Sequence, residues 1–485
     1  MRLRLGIVGG ALALWVLLHA RGIPAGLALA APAPQDPDEP LNGKPSPKLI
    51  PPPGSPITSG DVDQKELTDI INELVACGTR SSLSSWKDTD HEIGCGRNRI
   101  VARFQAISKA MGGELQVKVD RFEATAPRTA NKPVPLENVI AILPGTDPTL
   151  SKTVFLVSGH FDSMPSDVMD STSAAPGADD DASGVAVSIE CARLVSSWRP
   201  PSGYRATVIF AAVSGEEQGL LGSKHLVEYL RDSGYTVGGM LDDDIVGADF
   251  APGAPHRVRV FSAGGPDGID SPSRELARMV EDIDSRDAVR LIFRDDRLGR
   301  GGDHMPFIEA GDPAVRFTEP LEDYHHEHQT PRIENGVQYG DLPQYLNFEF
   351  LANVVRDNAE VLRELAMAPA PPADVTLSGG VTPSAVVGWQ APSDTERGGF
   401  EILWRETTSP RWSVYDFVFQ PGETALTGVS TDNRFFAVRS VGKNGARSLA
   451  VPAVPKRRTR PAAPPASIHG AGAQSNEGPN SRHNR

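Results

Sequence analysis

The sequence predicts an α/β fold: a mainly parallel mixed sheet with helices on both faces, followed by a small all-β sandwich. Three observations predict it. Short apolar runs alternate with helical patterns over 153–367. A proline-rich hinge at 368–373 then changes the grammar to short strands separated by turns. Finally, acidic and histidine motifs gather where the expected strands end, as sites in open α/β sheets do.

The chain has 485 residues and a formal net charge of -14, which argues against a nucleic-acid or anionic-membrane partner. Arg2 and Arg4 precede an apolar run from Leu5 to Leu18, and Ala28, Ala30 and Ala31 give a small-x-small end. This pattern reads as a secretory signal peptide over 1–31, with no stable membrane insertion after cleavage, because a span needs about 20 apolar residues. Residues 32–60, rich in proline and small polar residues, read as a flexible leader. Export permits disulfides, and Cys77 and Cys95 flank a polar loop and could pair. Cys191 lies in an apolar helical pattern and reads as a buried free thiol.

The α/β domain is expected over 61–367. Leu67, Ile70, Ile71, Leu74 and Val75 recur at helix spacing, and 100–111 repeats the pattern. TVFLVS at 153–158 and ATVIFAAV at 206–213 are continuous apolar runs, as in strands covered on both faces. Helices are expected over 182–195 and 219–231, strands over 240–246, 256–262, 290–293 and 313–318, and a closing helix over 341–367. From Asp374 the strands shorten, with Trp389 and Trp404 as core candidates or, alternatively, as a surface or polysaccharide contact. We place a β-sandwich over 374–455 that folds separately and carries no catalytic part. Residues 456–485 read as a disordered tail.

Five segments hold the candidate chemistry. His160 follows a strand, with Asp162 two residues on to accept its second ring N–H. PGADDDASG at 176–184 crowds Asp179, Asp180 and Asp181, which repel one another unless a cation neutralises them; an acidic helix cap is the alternative, but the length of the cluster and the glycine on each side favour a metal. GEEQGLLGS at 215–223 sets Glu216 beside Glu217 at a strand end, where one can ligate a metal and the other take a proton from water. LDDDIVG at 241–247 and DYHHEHQ at 323–329 complete the set.

The order of these motifs resembles the two-zinc exopeptidases of metallopeptidase family 28, which include secreted bacterial leucyl aminopeptidases. RGGDHMPF at 300–307 also resembles a segment of that family, and the likeness covers roughly 62–366. The resemblance implies two Zn2+ per chain. His160 and Asp244 would bind one, Glu217 and His328 the other, and Asp180 would bridge them. Glu216 would be the general base, Asp162 would orient His160, and the Asp180–Asp181 peptide would be cis. His326 is the alternative to His328, and Asp242 and Asp243 are the alternatives to Asp244. The implied activity is an exported aminopeptidase, secreted or periplasmic, acting on peptides with a free N-terminus. A carboxypeptidase, a one-zinc glutaminyl cyclase and an inactive binding protein are the competing readings. The C-terminal module resembles a fibronectin type III domain.

Overall fold

Helix α1 (Gln64–Val75) forms where the apolar spacing predicts, and Asp63 caps it by accepting the backbone N–H groups of Lys65 and Glu66. It belongs to a computed structural model that describes residues 61–249, 256–265, 270–284, 286–298, 300–379 and 384–456. The expected signal peptide at 1–31 and leader at 32–60 lie outside the described residues, as does the tail beyond Lys456.

After α2 (Glu92–Ala110) come β1 (Gln116–Ala124), β2 (Val134–Leu143), β3 (Thr153–His160), α3 (Ala182–Ser197), β4 (Thr207–Val213), α4 (Leu221–Asp232) and β5 (Thr236–Asp243). Then follow β6 (Val258–Ser262), α5 (Pro272–Ile283), β7 (Val289–Ile292), α6 (Met305–Ala310), β8 (Ala314–Thr318), a small hairpin β9 (Arg332–Glu334) and β10 (Val337–Tyr339), and α7 (Phe348–Met367). Eight strands form one sheet in the order β1-β2-β4-β3-β5-β8-β6-β7. The middle four, β4, β3, β5 and β8, run parallel, while β1, β2 and the β6–β8 pairing are antiparallel.

Alternate residues of β3 face opposite layers. Phe155 and Val157 pack in the core under α1, α2, α3, α5 and α7, whereas Val154 and Leu156 pack under α4 and α6. The sheet is therefore buried on both faces, which explains the unbroken apolar runs. Gly159 allows β3 and α3 to touch, since a Cβ there would lie 2.4 Å from the Gly184 carbonyl carbon.

Several elements differ from the sequence expectation. The closing helix starts at Phe348 rather than 341, because Asn347 caps it and Pro343 begins a separate short turn. Strand β5 starts at Thr236 rather than 240, and Gly238 in it lies against the Phe155 ring rather than in a turn. The β1–β2 ribbon has no counterpart in the reading. Glu137 and Asn138 interrupt its apolar run, and the structure buries both: Glu137 pairs with Arg97 and Arg121, and Asn138 with the Gly222 carbonyl.

The C-terminal region is two four-stranded sheets. One has the order β15-β12-β11-β18 and the other β14-β13-β16-β17. The strands are β11 (Ala373–Gly379), β12 (Ser384–Gln390), β13 (Arg397–Glu406), β14 (Ser413–Val418), β15 (Gly422–Thr427), β16 (Arg434–Gly442), β17 (Val451–Pro452) and β18 (Val454–Pro455). Trp389 is buried with Phe400 in their shared core, and Trp404 is half-buried beneath Arg434.

The hinge reading at 368–373 is incomplete, because the sandwich docks on the α/β domain through buried charges. Arg405 and Arg278 share Asp270. Trp412 donates its indole N–H to Glu275 at 2.6 Å, Arg439 meets Asp282 at 3.2 Å, Arg447 meets Glu364 at 3.0 Å, and Arg205 reaches Asp394 at 2.9 Å. Burial pushes the Glu275 carboxyl up to about 7, against Arg278 and the indole N–H. Its folded value lies above its unfolded one. The stability that its proton supplies is therefore complete below the ordinary carboxyl range and is lost as pH rises through about 7. We expect Glu275→Gln, which still accepts from Trp412, to melt with a shallower pH dependence than the parent between pH 5 and 8. Parallel melting curves for the two proteins would refute this linkage.

Candidate metal centre

The site lies at the carboxyl ends of the central parallel strands. His160 ends β3, Glu217 follows β4, Asp244 follows β5, and Asp180 precedes α3. Two ligand-type groups converge there and share one member: His160, Asp180 and Asp244 form the first, and Asp180, Glu217 and His328 the second. His160 Nε2 is 3.1 Å from Asp180 Oδ1 and 3.6 Å from Asp244 Oδ1. His328 Nε2 is 2.9 Å from Asp180 Oδ2 and 3.4 Å from Glu217 Oε1. Asp180 thus presents one oxygen to each histidine.

Each acidic triplet divides its labour. Asp179 accepts the Gly247 backbone N–H at 2.6 Å and so ties the helix start to the end of β5. Asp181 caps α3 through Gly184 N–H and also accepts the His160 backbone N–H at 2.9 Å. Only Asp180 faces both histidines, and the Asp180–Asp181 peptide is cis. In the second triplet, Asp242 accepts from the backbone N–H of His304, and Asp243 accepts from the Asn358 side chain, which leaves Asp244 to the centre.

Asp162 lies against the His160 ring and has a second part besides the one expected of it. His160 Nδ1 lies 3.1 Å from the Asp162 carbonyl oxygen and 3.6 Å from its carboxylate. The carboxylate instead accepts the backbone N–H groups of Glu216 and Glu217, at 3.3 and 3.2 Å. Asp162 therefore orients His160 mainly through its main chain and fixes the glutamate pair with its side chain. Glu216 is half-buried at the edge of the centre, near Glu217, Asp244 and Asp303, and burial pushes its carboxyl well up.

Within the histidine cluster, His328 enters the centre and His326 does not. His326 stacks on Tyr345 at 3.7 Å between ring centroids. Reciprocal hydrogen bonds between Ser166 and Thr330 anchor the loop that carries His328. We expect His328→Ala to lower metal content and His326→Ala to keep it. Metal analysis of the two variants checks this, and loss only on changing His326 would reverse the register.

Three residues of the centre's support escaped the sequence reading, and a fourth, Asp303, lay in the RGGDHMPF string with no role assigned. Arg80, fully buried, donates to the carbonyls of Phe161, Pro176 and Gly177 at 2.7, 2.6 and 2.8 Å. Asp341 accepts the backbone N–H groups of Asp179 and Asp180. Arg316 holds Asp244 Oδ2 at 2.7 Å. Asp303 is buried beside Asp242, and its carboxyl is pushed up to about 8, first by burial and then by that neighbour. A charged residue inside the apolar string AVRFT was a usable signal for Arg316, and RGGDHMPF was one for Asp303; Arg80 and Asp341 had none.

These residues fit a metal. Glu217 Oε1 and Asp244 Oδ1 are buried, face the centre and have no hydrogen-bond donor. Glu217, then Asp180, raises the His328 imidazole to about 12 against burial, so the carboxylates draw positive charge into the centre. A metal ion supplies that charge when it replaces the protons. Oxygen and imidazole ligands without thiolate suit zinc. Such a centre at the strand ends of an open mixed sheet fits a metal-dependent enzyme of the α/β class.

Comparison with known proteins sharpens the class. The model of peptidase family M28 matches residues 138–338. A probable zinc metalloprotease of Leptosphaeria maculans is 38% identical over 414 residues, covering 81% of this chain and 94% of the relative. Another, from Pyricularia oryzae, is 37% identical over 423 residues, covering 81% and 82%. Among solved structures, the LapA aminopeptidase of Legionella pneumophila aligns at 20% identity and a TM-score of 0.47, covering 64% of this chain and 72% of that one. A glutaminyl cyclase of Porphyromonas gingivalis aligns at 17% and 0.45, covering 63% and 99%. The chain belongs to peptidase family M28 and is a zinc metalloprotease.

Proposed function

We propose that the chain is an exported aminopeptidase that holds two zinc ions, the first on His160 and Asp244, the second on Glu217 and His328, with Asp180 shared between them. The observation that carries this reading is the aim of the two Asp180 oxygens, each at a different histidine. Zinc bound there supplies a Lewis acid for the scissile carbonyl and lowers the pKa of the attacking water.

The protein's own groups supply the rest. Glu216, held in register by Asp162, accepts a proton from the attacking water and delivers it to the leaving amine. The surplus of buried carboxylates favours a substrate that brings a positive charge, which a free α-ammonium group does. The Cys77–Cys95 disulfide supports export, since such bonds persist in oxidising compartments. Among the described residues, no helix is long and apolar enough to cross a membrane. The strand order of the C-terminal sheets supports the fibronectin type III-like reading, with the module as a docked spacer.

The test compares aminoacyl-arylamides with free and with acetylated amino groups. Hydrolysis of the free series alone is the expected result. Equal hydrolysis of both series, or release of C-terminal residues from N-blocked peptides, would contradict the reading.

A further inference from the structure

Beside the metal centre lies a cavity of about 260 Å³ that the proposed reaction does not use. Its walls include neighbours of the ligands: Asp179 precedes Asp180, Glu327 precedes His328, and Asp341 binds the backbone of Asp179 and Asp180. Two of its carboxylates have no such structural task. Glu327 is 5% exposed, and neither of its side-chain oxygens has a hydrogen-bond donor. It pairs with Arg300, whose Nη2 is 3.6 Å from Oε2 and which Glu322 already engages. Glu319 is 3% exposed in the same wall. Buried carboxylates this crowded repel one another, and a cation entering the cavity relieves that repulsion.

The rest of the lining decides which cation. A bare divalent ion asks for oxygen ligands all round. Here Tyr345, stacked on His326, and the apolar Leu321 interrupt the oxygens. An aromatic face and an apolar wall suit an organic cation on an aliphatic stem. Resting on the aminopeptidase reading, we propose that this cavity receives the side chain of the substrate's N-terminal residue and selects lysine or arginine, with Glu319 and Glu327 as its counter-charges.

The experiment measures kcat/KM of the zinc-loaded enzyme for arginyl-, lysyl- and leucyl-arylamides. Each good charge contact discriminates by about tenfold or more. The expected result is at least a tenfold preference for the basic residues, and an arginine-to-leucine ratio that falls at least tenfold in Glu319→Gln. A parent enzyme that prefers leucine, or a ratio unchanged in a folded Glu319→Gln protein, would overturn the proposal. So would a third tightly bound metal ion that Glu319→Gln releases.

A second readout needs no turnover and no variant. Thermal melting of the zinc-loaded parent is measured with L-arginine and with L-norleucine. Greater stabilisation by L-arginine upholds the pocket even if no arylamide is cleaved, in which case only the aminopeptidase reading fails. Equal stabilisation overturns the pocket assignment.

Discussion

The Glu216→Gln protein is expected to bind metal as the parent does and to lose about 10²–10⁴-fold in turnover, the usual cost of removing a general base. The amide keeps the size of the side chain but cannot accept the proton. The backbone N–H that Asp162 holds is untouched, so the loop stays in place. The adjacent Glu217→Gln change should act differently, because Glu217 Oε1 is a buried oxygen facing His328 and has no donor. Its loss should appear first as lower zinc content. Metal analysis beside steady-state kinetics separates the two, and exchanged phenotypes would mean that the roles within the pair are reversed.

Arg80→Ala is expected to be the most damaging change away from the ligands. The guanidinium is fully buried and donates to three carbonyls in the two segments that carry His160 and Asp180. Burial lowers its pKa to about 10, against the pull of Asp341 and Asp162, so it remains charged at neutral pH. Each buried carbonyl left without a donor costs about 1–3 kcal/mol. The loss should therefore be several kcal/mol, together with weaker zinc binding as the two segments drift apart. Arg80→Lys keeps the charge without the planar fork and should recover little. Thermal melting and zinc content measure both effects. An Arg80→Ala protein that melts like the parent with full zinc would show that the loops hold themselves.

The candidate ligand set was legible because the fold concentrates such residues. His160, Asp180, Glu217 and Asp244 each sit in a short string at one end of a parallel sheet, and such strings carry their own signature. The string could not say which aspartate of a triplet serves. That depended on distant partners: Gly247 for Asp179, Asn358 for Asp243, and His304 for Asp242. Arg80 and Asp341 were hidden for the same reason, since their partners are main-chain groups far along the chain. The docked face of the sandwich was hidden too. Arg405 and Asp270 are 135 residues apart, and nothing local to either announces the pair. The hinge prolines announced a change of strand grammar but not the charged contacts made across it.

In the proposed centre one carboxylate, Asp180, joins two metal positions. Stepwise zinc titration of metal-free protein, read by bound metal and by arylamide turnover, tests this most directly. Close to two zinc ions per chain are expected, with full turnover only after the second has bound. Full turnover at a single equivalent, with no second tight site, would contradict the shared role of Asp180.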